Sequence, residues 1–156
     1  MPAASRRASA LVGLVSAGCF IGTSACAAAD ESLYARMGGE PVVSAVVSDT
    51  LDRVVADPRL KRSFEGSDLG RIKRLLVEQI CDLGGGGCRY SGDSRGDVHA
   101  GHHISEAEFF GLVELLRASM RQHHVGLRER NELLALLAPM ERDVVEAAAA
   151  SKKATH

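Results

Sequence analysis

The chain has no tryptophan, and its 156 residues include only two tyrosines and four phenylalanines. A core of stacked aromatics is excluded, so the core must come mainly from Leu, Val, Ile and Ala. There is no excess of one charge: 19 Lys and Arg stand against 20 Asp and Glu, a formal net charge of −1. No basic run is long enough to suggest a nucleic-acid surface, so nucleic acid is not an expected partner. The N-terminal apolar stretch, Ala10 to Gly22, falls short of the roughly 20 residues that a membrane-spanning helix needs.

That stretch follows Arg6 and Arg7 and precedes Ala27-Ala28-Ala29. A positive n-region, an apolar h-region and a small-residue cleavage site make a secretory signal peptide. Residues 1–29 are therefore expected to be removed, leaving a periplasmic or secreted protein with no stable membrane insertion. A lipoprotein signal lipidated at Cys19 or Cys26 is the rival, but Ser16 and Thr23 stand where an aliphatic residue is usual. Cleavage removes two basic residues and no acidic one, so the net charge moves from −1 to −3. Only Cys81 and Cys88 remain, bracketing Asp82 to Gly87. In an exported chain they are candidate disulfide partners. Two separate thiols are the alternative, and the pair is weak evidence for zinc.

The rest, residues 30–146, reads as one all-α domain, with a frayed tail at 147–156. Leu33 to Met37 predicts a short helix stopped by Gly38-Gly39. Pro41 suits the first turn of a second helix, whose Val42, Val43, Val46, Val47, Leu51, Val54 and Val55 repeat at helical spacing. Asp57-Pro58 ends it. Ser67 or Asp68 can cap a third helix with Leu69, Ile72, Leu75, Leu76, Ile80 and Leu83 on its apolar face. Gly84 to Gly87 must end that helix. Ser105 to Glu108 is a capping box opening a fourth helix, with Phe109, Leu112, Val113, Leu116 and Met120 on its buried face. Gly126 precedes the last helix, which Pro139 should kink or which should absorb it near its middle. Between the third and fourth helices, residues 90–101 predict a loop with at most a turn or two of helix around His99. A single imidazole between two helices whose apolar faces could wall a flat cavity suits haem iron.

Several features together resemble the group I truncated haemoglobins, the two-over-two globins. They are Leu33-Tyr34, Gly38-Gly39, the run Val55 to Leu60, Phe64, the glycine-rich end of the third helix, Tyr90-Ser91-Gly92, His99-Ala100-Gly101 through Ile104, Phe109 and Ala138-Pro139. The resemblance covers nearly all of residues 32–146. It implies haem as cofactor and a diatomic gas (O2, NO or CO) as ligand. His99 matches the proximal iron ligand and Phe64 the aromatic against the haem face. Phe109 falls on the proximal side and Tyr90 near a propionate. Leu51, Ile72, Leu76 and Leu112 complete the candidate lining.

The chain departs from the family on the distal side. Thr50 and Leu51 stand where a Phe-Tyr pair is usual, and Leu76 where a supporting Gln is often found. A hydrogen bond to bound oxygen in a dry pocket is worth about 1.5–3 kcal/mol. Its loss should speed O2 release by roughly 10- to 100-fold. Gln79, one turn beyond Leu75 and Leu76, and Thr50 are candidate substitutes. Efficient NO dioxygenation is not expected without a distal donor, so ligand binding is favoured over an NO-detoxifying activity. The redox partner, an unidentified reductase, is not legible in the sequence.

Other histidines offer a rival. His99, His102 and His103 could form a zinc, copper or nickel site, but adjacent histidines do not easily face one metal from a regular helix. His123 and His124, at the end of the fourth helix, are expected to be solvated, as are Lys73, Arg74, Arg117 and Arg121. A globin fold that has lost its haem is a third reading.

Overall fold

The computed structural model describes residues 31–94, 97, 99 and 102–145. The expected signal peptide at 1–29 and tail at 147–156 lie outside the described residues. Among the described residues every regular element is helical, as the apolar periodicity predicts. No helix among them is long and apolar enough to cross a membrane.

Helix α1 (Leu33–Arg36) is capped by Ser32, whose Oγ accepts from the Ala35 amide at 3.2 Å. Gly38 then turns the chain in the left-handed region at φ 101°, where a Cβ would lie 2.5 Å from a Val42 methyl. This steric demand is why the Gly38-Gly39 pair can stop one helix and start the next. Helix α2 (Gly39–Ala56) buries Val43, Val46, Val47, Thr50, Leu51 and Val54, a stripe at three- and four-residue spacing. Pro41 sits in its first turn. Asp57 ends it and binds the amide and guanidinium of exposed Arg59 at 2.9 and 2.7 Å. Those two contacts pull the Asp57 carboxyl down to about 2. A short 3-10 helix (Lys61–Phe64) follows.

Asp68 caps helix α3 (Leu69–Leu83), its side chain accepting from the Arg71 amide. The glycine run beyond α3 has a packing reason. A Cβ on Gly86 would lie 2.5 Å from the Tyr34 ring and 2.6 Å from Cys81 Sγ. The Tyr34 amide donates to Gly84 O at 2.9 Å, so the run clamps α1 to the end of α3. Cys81 and Cys88 are joined in a disulfide across this loop, with Cα atoms 5.6 Å apart, within the usual range.

Helix α4 (Glu106–Gln122) opens with the expected capping box: Ser105 Oγ accepts from the Glu108 amide at 3.3 Å, and Glu108 accepts from the Ser105 amide at 2.9 Å. Glu108, only 8% exposed, also reaches outside its own helix. It accepts from Ser63 Oγ at 2.9 Å and from the Arg62 guanidinium at 2.7 Å, both on the 3-10 helix. Burial pushes its carboxyl up, but the donors from Ser105 and Ser63 and the charge of Arg62 outweigh burial and hold it below its ordinary value. Helix α5 (Leu127–Leu137) stops at Ala138-Pro139, and the chain is helical again over 140–145. Ala138 keeps helical dihedrals and its amide bond to Leu134 O, so Pro139 interrupts a helical course that continues beyond it, as its missing amide hydrogen leads one to expect.

Helix α2 is the centre of the packing, with α3 and α4 both against it. The core cluster is Leu33, Met37, Val43, Val46, Val47, Leu51, Ile80, Met120, Val125 and Leu133, aliphatic and thioether as the missing aromatics require. Helix α5 closes onto α1, where Arg36 pairs with Glu129 and Glu132.

Two outcomes follow from these contacts. Replacing Cys88 with Ser is expected to lower the unfolding free energy by about 2–3 kcal/mol, read as a lower urea midpoint than wild type under non-reducing conditions; equal midpoints contradict it. Glu108 is depressed in the folded state, so its contribution is complete above the ordinary carboxylate range and is lost as pH falls through the folded value. The stability gap between wild type and Glu108→Gln should therefore shrink on acidification from pH about 6 to about 3. A gap constant over that range contradicts it.

Candidate functional site

The apolar candidates divide into two groups. Leu51 is buried in the core cluster, and Phe64, Ile72 and Leu76 pack against that cluster while only partly buried. The chain thus brings together four of the expected lining residues, from α2, the 3-10 helix and α3. Phe109, Leu112 and Tyr90 lie outside the cluster and are half-buried. Phe109 meets Phe110 edge-on at 5.7 Å, and Phe110 is 50% exposed.

Helix α3 fully buries only Ile80 and Cys81 of its 15 residues. Its apolar face, with Ile72, Leu75, Leu76 and Val77, stays half-buried. Helix α4 behaves similarly: Phe109, Leu112, Val113 and Leu116 are half-buried. Both helices pack on α2 rather than on each other. Two apolar faces left half-covered on helices that share a partner are surfaces that a flat apolar group could cover.

His99 lies in the segment between these helices. It is helical and half-buried, and its carbonyl accepts from the His102 amide at 3.2 Å. His102 and His103 are exposed, and His103 adopts a left-handed φ of 51°. Among the described residues no three His, Cys, Asp or Glu side chains converge as metal ligands. The three-histidine metal site therefore receives no geometric support. A single half-buried imidazole has the chemistry of a haem-iron donor, and His99 would be the residue to hold the iron if the cofactor sits as the globin resemblance implies.

The two polar side chains expected to replace the distal donors are engaged elsewhere. Thr50 is buried, and its hydroxyl donates to Val46 O at 2.7 Å, back along its own helix. This is the usual bond for a helical threonine, and it uses the only hydroxyl hydrogen. The Gln79 amide donates to Met140 Sδ at 3.3 Å, toward the final helical segment. Leu51, Ile72, Leu75 and Leu76 carry no polar group.

The segment after the disulfide is pinned to α3. The amide and hydroxyl of Ser91 donate to Glu78 at 3.1 and 2.6 Å, and Arg74 joins Glu78 at 2.6 Å. These partners, Ser91 first, lower the Glu78 carboxyl. The Tyr90 ring crowds Gly92, where a Cβ would lie 2.2 Å from the phenol oxygen. Arg71 faces Asp93 at 3.5 Å, and Lys73 donates to Ser48 at 3.1 Å. Lys73 is half-buried and tied to Ser48, whereas Arg74 is exposed as expected and pairs with Glu78 at the surface. His123 also differs from expectation: it is half-buried, with Nε2 3.8 Å from Asp49 Oδ2. Sequence reasoning missed the ties of Glu108 to Ser63 and Arg62. The capping box announced Glu108, but nothing local announces partners 45 residues away.

Comparison with known proteins agrees with this geometry. A family profile described as bacterial-like globin matches residues 32–146. The group 1 truncated hemoglobin of Tetrahymena pyriformis is 24% identical over 115 residues, 74% of this chain and 95% of that protein. A group 1 truncated hemoglobin of Mycolicibacterium paratuberculosis is 29% identical over 113 residues, 72% of this chain and 83% of the relative. Solved structures share the fold. The Fe(III) form of the Tetrahymena pyriformis protein superposes with a TM-score of 0.70 at 24% identity, covering 73% of this chain and 97% of that one. A Synechococcus 2/2 hemoglobin, solved with covalently attached heme, gives 0.69 at 23% identity, covering 74% and 98%. The chain belongs to the bacterial-like globin family, among relatives that are group 1 truncated hemoglobins, and its cofactor is haem.

Proposed function

We propose that this protein is an exported haem globin that binds a diatomic gas at iron held by His99, in a pocket whose far wall offers no hydrogen-bond donor. Haem supplies the iron at which the gas binds. The observation that carries the reading is the commitment of Thr50 to Val46 O and of Gln79 to Met140 Sδ. Thr50 has no further hydroxyl hydrogen to offer, one Gln79 N–H is directed to Met140, and Leu51, Ile72 and Leu76 present only apolar surface. Such a wall excludes water and favours a neutral diatomic molecule. O2 gains most from a donor because it becomes polarised on binding; CO and NO depend on it less. The pocket therefore favours NO and CO over prolonged O2 retention, and ligand binding over turnover. The disulfide supports an oxidising compartment, in line with the signal-like N-terminus.

Stopped-flow ligand replacement on the reduced protein tests this. Leu51→Tyr is expected to slow O2 release by roughly 10- to 100-fold, the worth of one hydrogen bond to a polarised ligand. CO release should change much less. Thr50→Val should leave O2 release within about twofold of wild type, since the lost hydroxyl bonds its own helix. A wild-type O2 release already as slow as that of Leu51→Tyr contradicts the apolar wall, and a large effect of Thr50→Val contradicts the assignment of its hydroxyl.

A further inference from the structure

Glu108 is more heavily engaged than a helix cap requires. A capping box needs only the reciprocal pair with Ser105. Here one carboxylate oxygen accepts from the Ser105 amide and hydroxyl at 2.9 and 2.7 Å and from Arg62 at 2.7 Å. The other accepts from Ser63 Oγ at 2.9 Å. Arg62 also reaches His103 O at 3.4 Å. Two pieces of chain meet on this buried group, and Arg62 extends the contact to a third. The three are the 3-10 helix that ends in Phe64, the first turn of α4 that carries Phe109 next to Glu108, and the end of the segment that carries His99. The phenylalanines and His99 are the groups that the globin resemblance implies around haem, and the inference rests on the proposed function.

We propose that Glu108 is a positioning residue for haem retention: its carboxylate latches the helix carrying Phe64 to the helix carrying Phe109 and so holds the two aromatic walls at the spacing the cofactor needs. Glu108 touches neither haem nor gas. Its low exposure excludes competing water, which strengthens each charge-assisted bond. Ser63 and Arg62 are the latch side of the interaction and Ser105 is the cap side, so the two roles can be separated by mutation.

The test is haem transfer from the ferric protein to an excess of apomyoglobin, followed by absorbance, for wild type, Ser63→Ala and Glu108→Gln. Ser63→Ala removes a latch contact and leaves the capping box whole. Glu108→Gln keeps a capping-box side chain but removes the charge. Haem loss is expected to quicken by about tenfold in Glu108→Gln and by several-fold in Ser63→Ala, the scale of one charged hydrogen bond. Hydrogen exchange in the first turn of α4 should be unchanged in Ser63→Ala, and the absorption bands should remain those of wild type. Faster loss in Ser63→Ala with intact α4 protection establishes the latch, because a purely structural cap would not produce it. Wild-type loss rates in both variants overturn it. Faster loss only where α4 protection also falls overturns it in favour of a cap. A wild-type protein that takes up no haem overturns the proposed function, and this inference with it.

Discussion

The apolar faces of α3 and α4 are the constraint on which the rest of the structure depends. Each lies against α2, and each leaves large aliphatic or aromatic side chains half-covered. Close-packed interiors leave few such surfaces without a partner. The whole chain supports the arrangement. A valine-rich α2 gives both helices a common floor, and Leu33, Met37 and Leu133 join α1 and α5 to the same core. Haem burial would complete that apolar packing and add binding energy to the stability of a small helical domain.

Holding two helices apart on a shared floor requires ties at the edges. The disulfide, the glycine run and the Tyr34–Gly84 bond fix the end of α3. The Ser91–Glu78–Arg74 group fixes the chain beyond it. On the α4 side Glu108 collects Ser63, Arg62 and Ser105. The segment carrying His99 runs between these two anchored ends. Aliphatic residues dominate the α2 floor, and threonine is tolerated there because its hydroxyl turns back onto the helix.

Much of this was legible in the sequence because it is local. Asp68, Ser105 and Asp57 act at helix ends as their types predict, and the α2 stripe follows from its valine spacing. The four glycines after α3 signalled unusual backbone: Gly84 and Gly86 pack against Tyr34, and Gly85 and Gly87 adopt left-handed φ of 71° and 78°. Long-range choices were hidden. Nothing near Thr50 or Gln79 says that their hydrogens go to Val46 O and Met140 Sδ; either could have faced a ligand. His123 read as solvated because its neighbour Asp49 is distant in sequence. The pairing of Glu108 with Ser63 depends on how the 3-10 helix meets α4, which spacing alone does not encode.

The central claim is that His99 carries the haem iron between these walls. The most direct measurement is the absorption spectrum of the purified protein supplied with haem, oxidised and then reduced with dithionite, beside His99→Ala. The account predicts a Soret band in wild type that is lost or reshaped in the variant. A wild-type protein that takes up no haem, or a variant whose spectra match wild type in both states, would contradict it.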